Sequence, residues 1–110
     1  MTNKVVTTGN KGGRTRSDCF ITLELTSSGG VSIDLQSKVK PMYGKSIIQL
    51  TEDIFSFFDI KHAKIKIEDT GALPFVLGAR IEAAIKKLVD TDKQYIFDLL
   101  AQNKYPSSRE

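Results

Sequence analysis

The apolar residues of this chain change their spacing from two to three-and-four and back again, and that alternation most constrains its fold. Cys19, Ile21, Leu23 and Leu25 alternate with Phe20, Thr22 and Glu24. Val31, Ile33 and Leu35 alternate with Ser32, Asp34 and Gln36. A period of two puts one face of an extended chain toward a core, so both stretches read as strands. Between them lies the turn cluster Thr26-Ser27-Ser28-Gly29-Gly30, which predicts that the two strands pair as a hairpin. After Pro41 the spacing changes. Ile47, Leu50, Ile54 and Phe57 recur at three and four, with Phe58 beside them, while Lys45, Gln49, Glu52 and Asp53 fall largely off the stripe. This is an amphipathic helix, with Gly44 a weak point near its start.

The cycle then repeats. Ala63, Ile65 and Ile67 alternate with Lys64, Lys66 and Glu68, giving a third strand with a charged outer face. Asp69-Thr70-Gly71 is a turn signal. Leu73, Phe75 and Leu77 predict a fourth strand, which Pro74 would confine to an edge because it has no N–H. Ile81, Ala84, Ile85 and Leu88 restore helical spacing, and Ile96, Leu99 and Leu100 predict a short last helix within residues 92–103. The order β-β-α-β-β-α predicts an α+β fold. Its four-stranded antiparallel sheet would carry helices on one face and an extra C-terminal helix.

A length of 110 residues suits one domain with a core that needs no staples. We place that domain at residues 18–103. Residues 1–17 read as a flexible arm, because Thr8-Gly9-Asn10-Lys11-Gly12-Gly13 has too little apolar content to pack. Residues 104–110 read as a disordered tail. Lys4, Lys11, Arg14 and Arg16 are opposed only by Asp18 up to that point, so much of the net charge of +3 sits on the arm. The charge is mild and lacks a dense basic cluster with interleaved aromatics, which argues against a nucleic-acid partner. One cysteine, Cys19, excludes an internal disulfide and points to a reducing, cytoplasmic compartment. No apolar run approaches a membrane span, and the polar N-terminal stretch does not resemble a signal peptide.

The chemistry-bearing residues are few. His62, the only histidine, stands at a helix-to-strand junction with no nucleophile motif to accompany it, and reads as a loop residue. Cys19 lies on the apolar face of a strand and reads as a small core residue. No Cys/His grouping has zinc-like spacing. Gly9, Gly12 and Gly13 lack the following Lys-Ser/Thr and the strand-to-helix setting of a phosphate loop. Ser17 followed by Asp18 differs from these. Its hydroxyl stands where the arm enters the first strand, and a phosphodiester placed on it would have Arg16 and Arg14 as partial counter-charges.

Asp69-Thr70-Gly71-Ala72-Leu73, followed by Ala79-Arg80-Ile81-Glu82-Ala83-Ala84, resembles the acyl carrier subunit (gamma chain) of citrate lyase. The acyl carrier of malonate decarboxylase is a related runner-up. Ala63-Lys64-Ile65-Lys66-Ile67, Tyr43-Gly44 and Ser17-Asp18 extend the resemblance, which covers roughly residues 4–88. It implies a carrier that performs no bond-making. A phosphoribosyl-dephospho-CoA arm, covalently held on a serine near the N-terminus, would present acyl groups to acyl-transferase and lyase subunits after a prosthetic-group transferase attached it. Ser17 is the attachment residue it implies here, with Arg16, Asp18 and Arg80 around the group. The family pattern reads Ser-Gly/Ser-Asp, whereas this chain reads Arg16-Ser17-Asp18, so the strict counterpart of the family's serine is Arg16 and Ser17 lies one residue later. Gly78 stands where the family commonly has Arg, Pro74 replaces a polar residue, and the helical tail from Asp92 has no clear counterpart. The second reading is an unmodified structural or interaction subunit that keeps the carrier fold.

Overall fold

A computed structural model describes residues 4–11, 18–37, 44–93 and 95. The elements are β1 (Val5–Gly9), β2 (Cys19–Leu25), β3 (Val31–Ser37), α1 (Gly44–Phe57), β4 (Ala63–Asp69) and α2 (Pro74–Leu88). They form one α+β layer pair, with a sheet ordered β1-β2-β4-β3. β1 and β2 are antiparallel, as are β2 and β4, but β3 and β4 run parallel.

The sheet is therefore mixed, which corrects the expected all-antiparallel arrangement and the expected hairpin of β2 with β3. β4 inserts between those two strands. Its entry is pinned on both sides, because the Thr26 N–H donates to the His62 carbonyl at 3.1 Å and the Ala63 N–H donates to the Gly30 carbonyl at 3.0 Å. The physical reason lies in burial. Ala63, Ile65, Ile67 and Asp69 are all buried, whereas β3 only half-buries Ile33 and Leu35. The strand with the stronger apolar face takes the centre, and the crossover through α1 makes its β3 neighbour parallel.

Two further corrections follow. The expected fourth strand at residues 73–77 is the start of α2. Leu73 is extended at φ −69°, ψ 154°, Pro74 occupies the first turn, and the Leu77 N–H donates to the Leu73 carbonyl at 3.0 Å. Proline suits this place because first-turn N–H groups have no helical partner and its φ is already helical. Leu73 is 48% exposed and so is not a core residue, while Leu77 is buried with Ile81, Ala84 and Ile85. The other correction concerns the arm, whose residues 5–9 form strand β1 with Val6 buried against the core. The Val-Val-Thr-Thr run has the β-branched side chains that suit a strand. The last helix expected within residues 92–103, the tail and arm residues 12–17 lie outside the described residues, apart from the stretch through Lys93 and Tyr95. Tyr95 is buried edge-on against the Phe57 ring at 5.2 Å.

Both helices cover one face of the sheet. Its rows are Val6–Leu23–Ile65–Ile33 and Ile21–Ile67–Leu35, capped at one end by Cys19–Asp69–Ser37. The other face carries Lys64, Lys66 and Glu68. α2 lies over β1 and β2, tied by the Thr8 hydroxyl donating to the Arg80 carbonyl at 2.8 Å and by Lys87 Nζ donating to the Thr7 carbonyl at 2.7 Å. That placement carries Arg80 to the start of β2.

Candidate functional site around Asp18

Asp18 precedes the first residue of β2, at the end of the sheet where the Asp69-Thr70-Gly71 turn leaves β4. Asp69 shapes that turn. Its Oδ1 accepts the Gly71 N–H at 3.0 Å and the Ala72 N–H at 2.8 Å, and its Oδ2 accepts the Ser37 hydroxyl at 2.8 Å. Such an aspartate turn satisfies local backbone donors and orients the intervening residue. Thr70 then donates to the Asp18 carbonyl oxygen through both its N–H, at 2.9 Å, and its hydroxyl, at 2.8 Å.

The Asp18 carboxylate faces α2. Arg80 donates Nε–H to Oδ1 at 3.1 Å and Nη2–H to Oδ2 at 2.8 Å. This two-pronged pairing is the geometry a planar guanidinium favours with a carboxylate. Asn10 Nδ2 adds a bond to Oδ2 at 2.9 Å, and the Cys19 N–H adds one to Oδ1 at 2.7 Å. The Arg80 hydrogen bonds, aided by Asn10 and the Cys19 N–H and partly opposed by burial, hold the Asp18 carboxyl down at about 2. The same pairing raises Arg80 above its usual value. Burial, reinforced by the Asp18 and Asp69 charges, pushes the Cys19 thiol up to about 12. A thiol held protonated is a poor nucleophile, in keeping with the reading of Cys19 as a core residue.

Of the residues expected to form the site, Asp18 and Arg80 are brought together across 62 positions of sequence. Ser17 and Arg16 lie outside the described residues. His62 is a structural group, for its Nδ1 accepts the Gly30 N–H at 2.9 Å. Sequence reasoning missed Asn10 and Thr70. Asn10 lay in a stretch read as too polar to pack. Thr70 was visible only as the middle of a turn, and no local pattern reports its partner 52 positions away.

Residues 7–88 match the family of the malonate decarboxylase delta subunit (MdcD), a family of acyl carrier proteins. The chain is 33% identical to the citrate lyase acyl carrier protein of Fusobacterium nucleatum over 78% of this chain and 92% of that protein. It is 33% identical to the one from Oenococcus oeni over 76% of this chain and 86% of that protein. The Clostridium perfringens protein of the same name is 35% identical over 63% of this chain and 68% of its own length. No solved structure matches the chain. The chain belongs to the family of citrate lyase and malonate decarboxylase acyl carrier proteins.

Proposed function

We propose that this acyl carrier protein serves a citrate-lyase-type complex, with a phosphoribosyl-dephospho-CoA arm attached to Ser17. The observation that carries the reading is the fixed state of Asp18. The residue bonded directly to Ser17 is held by its carboxylate and by its carbonyl oxygen, so an arm rooted there swings from a rigid point. Tethering then makes delivery to each partner site effectively intramolecular. The donor set suits a phosphodiester. Arg80 commits Nε and Nη2 to Asp18 yet keeps 37% of its side chain exposed, and Arg16 adds a second cation from the sequence. The arm would supply a thiol for the acyl group. The chain's own part is to hold that arm and present it in turn to acyl-transferase and lyase subunits, after a prosthetic-group transferase has loaded it. Among the described residues no helix is long and apolar enough to cross a membrane. The lone buried Cys19 suits a reducing cytoplasm.

One observation favours a second reading. Arg16, which cannot be esterified, occupies the position of the family's attachment serine, so the chain would be a structural subunit that keeps the carrier fold unmodified. Intact mass of the chain made together with its prosthetic-group transferase separates the two. The carrier reading expects a mass gain that Ser17→Ala abolishes. An unmodified chain that still co-purifies with lyase subunits supports the structural subunit and rejects the carrier.

A further inference from the structure

β1 is an edge strand, and its ladder has a definite phase. Among the described residues no strand lies beyond it in the sheet. The Asn10 N–H donates to the Cys19 carbonyl at 2.9 Å. In an antiparallel ladder such bonded pairs recur at every second residue, so the register makes Thr8 opposite Ile21 and Val6 opposite Leu23 the next ones. Val5 and Thr7 therefore turn their N–H and C=O groups outward. Lys87 agrees with that phase, because its Nζ reaches over from α2 and donates to the outward carbonyl of Thr7 at 2.7 Å. Among the described residues, this ammonium is the one group bonded on the outer side of β1.

We propose that the β1 edge is a self-pairing surface for a second copy of this chain, and that Lys87 holds it closed. An open edge is a template for another strand, and a lysine laid over it is one way a fold blunts it. The strand is complementary to itself. In an antiparallel pair centred on Thr7, Thr7 faces Thr7 of the second copy and Val5 faces Gly9. Val5 is 52% exposed, and it gains cover where the opposing residue has no side chain. Val5–Gly9 carries no charged residue, so no like charges oppose each other across the two strands. α2 lies over β1 and β2, and the two-fold pairing sets the two α2 helices side by side on one face. Ala79 and Ala83 share the flank of Lys87 at helical spacing, so that flank is small enough for close approach. Lys87 works against this pair in two ways. Pairing takes the Thr7 carbonyl from it, and brings the ammoniums of both copies to one axis, where they repel.

Sedimentation velocity and hydrogen exchange on the full chain test this. The wild type and Lys87→Arg, which keeps the cation, are expected to sediment as monomers at about 100 µM, while Lys87→Met forms a dimer with a dissociation constant roughly tenfold lower than that of the wild type. The Thr7 amide, which faces outward in the monomer, is expected to gain protection from exchange in that dimer. Adding Thr7→Pro removes the central donor at a position whose N–H takes no part in the β1–β2 ladder. It is expected to return Lys87→Met to a monomer with unchanged circular dichroism. Three results overturn the proposal: Lys87→Met no more associated than the wild type, a wild-type dimer whose Thr7 amide is protected with Lys87 in place, or a Lys87→Met dimer whose Thr7 amide exchanges as fast as in the monomer. The amide measurement decides the matter even where Thr7→Pro fails to fold.

Discussion

Arg80, in the second turn of α2, grips the carboxylate of Asp18 at the entrance to β2 through two hydrogen bonds of 3.1 and 2.8 Å. The pair joins helix to sheet at the end where the chain leaves the described fold toward Ser17. Its contribution to stability is set by charge-assisted bonding at a half-buried site, with Asp18 well covered and Arg80 more open.

Arg80→Met removes both bonds and leaves the carboxylate with Asn10 and the Cys19 N–H. The expected cost is about 1–2 kcal/mol, the lower part of the range for hydrogen bonds to charged groups because solvent screens the open side. Arg80→Lys recovers only part, since an ammonium lacks the fork. Urea unfolding of the three chains at neutral pH measures it, and equal midpoints would show the pair to be neutral for stability.

The pH dependence has a definite sign. The Asp18 carboxyl stands at about 2 in the fold, against about 3.9 in an unfolded chain. In that interval the unfolded chain binds the extra proton, so stability falls as the solution is acidified. The contribution is full above pH ~4 and is lost as pH drops through about 2. Denaturant midpoints of the wild type and Asp18→Asn should differ most near neutrality and converge toward pH 2. A constant gap would mean that the carboxylate's charge does not matter.

Gly9 is the residue of β1 that tolerates no side chain. Its φ is +92°, and a Cβ there would run into the Cys19 carbonyl oxygen. Gly9→Ala combines left-handed strain with that clash, for an expected loss of at least ~1–3 kcal/mol. Thermal unfolding reads this directly. An Ala variant as stable as the wild type would mean that β1 is held more loosely than its pairing with β2 indicates.

Cys19 should resist alkylation in the native state. It is fully buried, and its thiol stands at about 12, so thiolate and access are both lacking. Reaction with iodoacetamide is expected to be at least a hundredfold slower than in urea and to track opening of the fold. Fast labelling of the folded chain would contradict the burial.

Much of this molecule was legible in its sequence. Alternation at residues 19–25, 31–36 and 63–68 marked three strands, and the stripe Ile47, Leu50, Ile54 marked α1, because burial of one face imposes a period that any short window shows. The same windows failed at residues 73–77. There Leu73, Phe75 and Leu77 alternate, yet Pro74 starts a helix and only Leu77 reaches the core. They failed also at residues 5–9, where a five-residue edge strand is followed by a polar stretch of sequence.

Local pattern, which depends on neighbours a few residues apart, thus determined three of the four strands, α1 and the apolar stripe of α2, together with the family resemblance of residues 69–84 and the candidate Ser17-Asp18 pair. Pairing partners and the site's geometry were decided by tertiary structure alone. Which strand takes the centre of a sheet depends on the competition of whole apolar faces for the helices. The meeting of Asn10, Thr70 and Arg80 at Asp18 depends on the pairing of β1 and β4 with β2, which brings Asn10 and Thr70, and on where α2 comes to rest on β1 and β2, which brings Arg80. These contacts join the block that marks the family to the site that would bear the arm, since Asp69 turns the chain, Thr70 holds the Asp18 carbonyl and Arg80 holds its carboxylate.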